Sequence, residues 1–352
     1  MEINLVWRTD VHLSDRGPSS RTDDWTEAVL ANLDQVRALA EQVRAAAILD
    51  GGDFFHVKSP GQNSHALVHR TAEHHDGYPC PVFCTPGNHD AVYGDYSFLP
   101  QQPLGVLFTT GVFKRLYDEH EVYFAKRSDE MYAKAYPYNA KSGWVFGNPF
   151  AIEKDRGEGP IVRVVGIPYH GTKYDMDRFT RIEKGDEDIL ICVAHVLASL
   201  KGGTMFEGED IIKYADLVDT APDVYLFGHW HKDQGVEELG GKQFVNVGSL
   251  TRGSLSQDEV QRIPASAVLR CTDAGVKVEV HRLNVPPAEE VFDVEGRARQ
   301  IKRQVEMDTF VTSLRDALQP KDGSKSLSDE VSGLGDVPHE VRERALSYLE
   351  QA

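Results

Sequence analysis

Five short apolar runs in this chain end the same way, each breaking off at a residue able to bind a metal. Leu5-Val6-Trp7-Arg8-Thr9 leads to Asp10 and His12, and Ile48-Leu49-Asp50-Gly51-Gly52 leads to Asp53. Val82-Phe83-Cys84-Thr85-Pro86-Gly87 delivers Asn88, His89 and Asp90. Leu190-Ile191-Cys192-Val193-Ala194 delivers His195, and Tyr225-Leu226-Phe227-Gly228 delivers His229 and His231. Short apolar runs bounded by turn residues read as buried strands. Open α/β sheets bind ligands at the carboxyl ends of their strands. A fold that sets these strands side by side therefore gathers all five polar ends in one crevice.

The segments between them support such a sheet. Ala28, Val29, Leu33, Val36, Leu39, Ala40 and Val43 recur at a helical period, predicting a helix over Asp24–Ala46, and a second is expected over about 62–76. Further strands are expected at Ile161–Ile167, Ile189–Ala194 and Val224–Phe227, and Phe244–Leu283 reads as strand and turn throughout. Alternating strands and helices closed by antiparallel strands predict an α/β chain. Between about Phe98 and Gly159 the pattern loosens into aromatics, turns and charges, which reads as an inserted meander. Ile301, Val305, Met307, Val311, Leu314 and Leu318 suit a helix, Pro320–Asp336 is a Gly/Ser/Asp-rich connector, and Pro338 opens a last helix.

The residue types specify the chemistry. Two Asp, one Asn and four His without a thiolate make an oxygen and nitrogen shell suited to manganese, iron or zinc rather than calcium, with magnesium a further alternative. Seven such ligands exceed what one tetrahedral ion needs and suit two ions sharing a carboxylate. Ions about 3.5–4 Å apart clamp the attacking and leaving oxygens of a displacement at phosphorus. The glycines before Asp53, Asn88 and His229 are expected to let the backbone turn sharply. Any one of these motifs alone is more often a turn or a satisfied core residue. Their conjunction, in order and each after an apolar strand, carries the inference.

The order Asp-x-His, Gly-Asp, Gly-Asn-His-Asp, Ala-His and Gly-His-x-His resembles that of the calcineurin-like metallophosphoesterases, from about residue 3 to 285. The resemblance implies a four-layer α/β/β/α sandwich with two mixed sheets, followed here by a short helical C-terminal extension. It implies one ion held by Asp10, His12 and His231 and another by Asn88, His195 and His229, with Asp53 bridging. His89 would stabilise the transition state or protonate the leaving oxygen, and Asp90 would orient it.

Gly51-Gly52-Asp53-Phe54-Phe55-His56-Val57-Lys58-Ser59-Pro60 looks, more narrowly, like the second motif of the SbcD-type DNA-repair nucleases, whose partner is an SMC-like (SbcC-type) ATPase. Asp10-Val11-His12-Leu13-Ser14-Asp15 and Gly248-Ser249-Leu250-Thr251-Arg252 fit the same group. This likeness implies a DNA substrate, a homodimer within the complex, and a place for His56 beside the metals, positioning the strand. The chain after Gly296 is too short for a full DNA-capping domain plus an ATPase-gripping segment. Three regions are therefore expected: a nuclease domain over 1–285, a reduced cap or linker over 286–336, and an ATPase-docking helix over 337–352, as in compact virus-encoded versions.

Composition narrows the alternatives. The net charge of −17 argues against autonomous grip on a polyanion, so metals, local patches or a partner must supply it. No apolar run reaches membrane-spanning length and no signal-like leader is visible, so a cytoplasmic chain away from membranes is expected. The four cysteines read as core residues in a reducing compartment. His65 and His69 have zinc-like spacing but lack a metalloprotease Glu, and His74 and His75 suit the positive charge favoured at a helix end. The rival function is a stand-alone phosphoesterase acting on cyclic nucleotides, small phosphodiesters or phosphoproteins. A scaffold that merely keeps the fold has no need of seven metal ligands.

Overall fold

The structure, a computed structural model, describes residues 1–56, 63–92, 95–118, 120–127, 130–137, 159–204, 208–317, 327–335 and 337–350. These fall into two compact units, Met1–Phe292 and Asp293–Ala352.

The first unit holds two mixed sheets. One has the order β16-β15-β1-β2-β3-β4, formed by β1 (Ile3–Arg8), β2 (Ala47–Asp50), β3 (Val82–Cys84), β4 (Phe113–Arg115), β15 (Ala265–Thr272) and β16 (Gly275–Arg282). The other has the order β13-β14-β12-β8-β7-β5-β6, formed by β5 (His120–Arg127), β6 (Glu130–Pro137), β7 (Val162–Ile167), β8 (Ile189–His195), β12 (Val224–Gly228), β13 (Asp233–Leu239) and β14 (Lys242–Val247). Strands β1 to β4 are parallel, as are β7, β8, β12 and β14, while β15 and β5 pair antiparallel at the flanks. A small side sheet joins β9 (Ala198–Ser199), β10 (Gly203–Thr204) and β11 (Asp210–Lys213).

Period-two alternation splits the apolar residues of β1 between two cores. Ile3, Leu5 and Trp7 face the second sheet, meeting Val164, Ile191, Val193, Leu226 and Val245 in the layer between sheets. Val6 points the other way and packs, with Ile48 and Val82, under helix α1 (Trp25–Gln42) through Val29, Leu33, Val36 and Ala40. Asp24 caps α1 by accepting from the Glu27 amide, and Ser64 caps α2 (His65–Asp76) by accepting from the Leu67 amide. The outer face of the second sheet carries Phe179, Ile212, Tyr214 and Leu217 against Tyr225, Phe227 and Phe244, so its fourth layer is made of short pieces.

Several expectations shift. The first helix ends at Gln42 rather than Ala46, because Arg44 takes a φ of 50° and the Ala46 amide bonds to Asn4 at the start of β1. The supposed meander begins with a 3-10 turn (Tyr96–Gln101) and a helix (Pro103–Thr109), then supplies β4, β5 and β6 to the two main sheets. Its remainder over 138–158 lies outside the described residues. Phe244–Leu283 includes a short helix, Gln257–Gln261, capped by Ser256. Ala288, Val291 and Phe292 are buried within the first unit.

The second unit consists of helices Val294–Ala317, Leu327–Ser332 and His339–Glu350. The middle helix lies within the stretch read as a connector, of which 320–326 and 336 fall outside the described residues, as does Leu318 of the expected helix before it. No helix among the described residues is long and apolar enough to cross a membrane.

Candidate metal centre

The carboxyl ends of β1, β2, β3, β8 and β12 open on one crevice, and the strand ends are laced to each other there. The Asp10 amide donates to Gly52, the His12 amide to Asp53 and the Leu13 amide to Phe54, at 3.0, 3.0 and 2.8 Å. Beneath them Arg8 and Asp50, both fully buried, pair at 2.7 Å, and Asp50 also accepts from the Gly52 amide. This lattice fixes where the next side chains project.

Four of the six non-glycine residues with positive φ among the described residues are candidate ligands: Asp10 (52°), His12 (53°), Asp53 (51°) and His229 (85°). Each such conformation costs roughly 1 kcal/mol or more and persists only where surrounding structure holds it. The glycines serve two purposes. Gly52 has a φ of 97°, whereas Gly87 is required by close approach, since a Cβ there would run into the Asp53 carboxylate and lie 2.6 Å from its amide nitrogen.

Three groups of donors result among the described residues: two match the expected ligand sets, and the third, His12 with His56 and His89, shares His12 with one of them. Donor atoms of Asp10, His12 and His231 lie within 4.8 Å of one another, as do those of Asp53, His195 and His229. In the first, His231 Nε2 is 2.9 Å from His12 Nε2 and 3.6 Å from Asp10 Oδ1. In the second, His195 Nε2 is 3.4 Å from Asp53 Oδ2 and 3.2 Å from Asn88 Oδ1. Asp53 Oδ2 is also 3.9 Å from His12 Nε2, so this carboxylate lies between the groups.

His89 reaches the same place from the loop after β3. Its amide donates to Asp53 Oδ1 at 2.7 Å and its Nδ1 donates to the His56 carbonyl at 2.6 Å. The His56 and His89 rings stack at 5.4 Å, 21° from parallel, and His56 Nδ1 is 3.4 Å from His12 Nδ1. Asp90 does not take the expected place. Its Oδ2 accepts from the amides of Asp53 and Gly87, at 2.8 and 2.9 Å, so it braces the loop backbone while the His56 carbonyl orients His89.

Electrostatics mark the crevice as a place for cations. Burial resists ionisation of Asp53, yet His195, His89 and His12 hold its carboxyl well below the usual range. Burial likewise works against a charge on His195, but Asp53 and Asp10 push it up to about 9. Burial and His231 hold His12 well below its ordinary value, and burial and His89 lower His56. Burial and the Asp53 charge push Asp90 up to about 8. An ionised Asp53 carboxylate beside imidazoles is a donor set that fits divalent ions, a cation there competing with the proton that the same carboxylate favours on His195.

Two residues went unnoticed in the sequence. Glu209 accepts from His229 Nε2 at 3.0 Å, and Tyr169 lies against the same ring with centroids 5.1 Å apart. Neither belongs to a spaced motif, and in the sequence Glu209 does not follow an apolar run of the length that precedes the other ligands. Of the helix histidines, His75 is buried against Tyr78 and Arg8, and that burial and charge hold it well below its ordinary value, so it carries no helix-end charge.

The family model described as calcineurin-like phosphoesterase matches residues 6–233. No curated protein matches the chain. Among solved structures, the chain is similar to a novel archaeal phosphodiesterase at 12% identity, over 80% of this chain and 100% of that one, with a TM-score of 0.35. It is also similar to a dimetal phosphatase from Danio rerio at 9% identity, over 78% of this chain and 98% of that one, with a TM-score of 0.42.

Proposed function

Since the chain belongs to the calcineurin-like phosphoesterase family, and so is a metal-dependent hydrolase of phosphoesters, we propose that its substrate is DNA. In this reading it is the nuclease subunit of a repair or recombination complex, cutting phosphodiester bonds as an exonuclease and endonuclease. Asp10, His12 and His231 would hold one divalent ion and Asn88, His195 and His229 the other, with Asp53 shared. Manganese is the first choice of metal. Bound there, the ions would neutralise charge developing on the phosphoryl group.

The chain's own residues account for the rest. Asp53 Oδ1 accepts from the His89 amide, and the His56 carbonyl accepts a hydrogen bond from His89 Nδ1–H. Nε2 is then the nitrogen free to face the substrate, and only with a second proton there, as the imidazolium, would His89 pass one to the departing sugar oxygen and return to the neutral Nδ1–H form. His56, stacked on His89, gives the departing strand a wall to lie against. That stacking, by a residue of the nuclease-like second motif, is the observation that carries the DNA reading.

The net charge of −17 leaves the chain a poor grip on DNA by itself. We assign the remaining attraction to an SMC-like ATPase partner, with the helix His339–Glu350 as its docking element. The same charge favours the second reading, a stand-alone enzyme for small phosphodiesters. His56→Ala separates them. In a nuclease it slows DNA degradation far more than hydrolysis of bis-p-nitrophenyl phosphate, while equal losses on both return His56 to a packing role.

A further inference from the structure

We propose that Glu209 is a positioning residue for the second ion, acting through His229. The inference rests on the metal-site reading above but not on the DNA substrate. His229 stands on a strained turn, φ 85°, where its amide is spent on Asp10 at 3.1 Å. The backbone thus sets where the ring starts but not how it is rotated. Its two nitrogens then divide the work. Nε2 lies 3.0 Å from Glu209 Oε1, and a carboxylate that accepts there fixes the proton on Nε2. The Nδ1 lone pair is what remains for the group shared with Asp53 and His195.

Glu209 is itself held firmly enough to do this. It is 8% exposed, and the same Oε1 accepts from the Tyr174 hydroxyl at 2.6 Å. That hydroxyl in turn accepts from the Leu197 amide at 2.9 Å, two residues beyond His195. Asp210, next in sequence, begins β11, which pairs with β9 just after Leu197. Burial opposes the charge on Glu209, yet the hydrogen bonds from His229 and Tyr174 hold its carboxyl below the ordinary value. One oxygen therefore ties the His229 ring to the segment that carries His195.

The test is a calorimetric titration of the full metal-free chain with manganese chloride, for wild type, Glu209→Ala and Glu209→Gln, with thermal melts of each metal-free protein. Glu209→Ala should weaken one of the two ions about 10–100-fold and leave the other unchanged. Glu209→Gln, whose carbonyl still accepts from Nε2, should restore most of that affinity, and the metal-free melts should coincide. Wild-type affinity for both ions in Glu209→Ala would overturn the proposal. So would a stoichiometry of one ion, which would make Glu209 a direct ligand, or equal weakening of both ions with a lowered metal-free melt, which would make it a structural strut. A wild-type chain that takes up no divalent ion would remove the metal-site reading itself, and the proposal with it.

Discussion

The main-chain amide of His89 donates to Oδ1 of Asp53 at 2.7 Å, so the residue expected to serve the leaving group is tethered through its backbone to the carboxylate between the two donor groups. The imidazole of His89 takes no part in that tether. His89→Ala should therefore keep both ions while lowering phosphodiester turnover by about 10²–10⁴-fold. Metal titration beside steady-state hydrolysis of bis-p-nitrophenyl phosphate checks it. Turnover near wild type would take His89 out of the chemistry.

Asp53 Oδ2 faces His195 at 3.4 Å and His12 at 3.9 Å, one from each donor group. Asp53→Asn should therefore weaken both ions, where a change at His231 should weaken one. A ligand at a hundred times its dissociation constant stabilises the native state by about 2.7 kcal/mol. Manganese should raise the melting temperature of the wild type clearly and that of Asp53→Asn barely. An undiminished rise in the variant would place the shared ligand elsewhere.

Behind the site, Arg8 and Asp50 are both fully buried and paired at 2.7 Å, with Phe54 and Phe113 lying against the guanidinium. Removing one partner leaves an uncompensated buried charge. Arg8→Met should cost about 3–5 kcal/mol in urea denaturation, and Arg8→Met with Asp50→Leu should recover part of that loss. A double variant less stable than Arg8→Met alone would contradict this account of the pair.

Deleting residues 337–352 removes the helix assigned to the ATPase and none of the donors around Asp53. The shortened chain should hydrolyse the small diester at the wild-type rate with manganese and fail to co-purify with the ATPase. Retained co-purification would move the docking surface elsewhere.

The strand ends were legible because each ligand follows its own apolar run: Asp10 after β1, Asp53 after β2, Asn88 after β3, His195 on β8 and His229 after β12. Local order in the sequence becomes local geometry in such cases. For Asp90 the resemblance implies a carboxylate that orients His89, as carboxylates commonly do for active-site histidines, whereas the turn aims its carboxylate back at the amides of Asp53 and Gly87. Glu209 was invisible because what makes it matter is the side sheet, whose two- and four-residue strands leave almost no periodic signal. The stretch after Phe98 misled for a related reason. Val122 and Phe124 alternate into the layer between sheets, but the His, Glu, Lys and Arg residues that share the strand with them mask the alternation.

The most direct measurement is hydrolysis of end-labelled linear duplex and single-stranded DNA by the purified chain with manganese, beside bis-p-nitrophenyl phosphate and a chelated control. The account predicts manganese-dependent cleavage of DNA that disappears in His89→Ala. Full turnover of the small diester with every DNA substrate left intact, both by the chain alone and with the ATPase partner added, would contradict it.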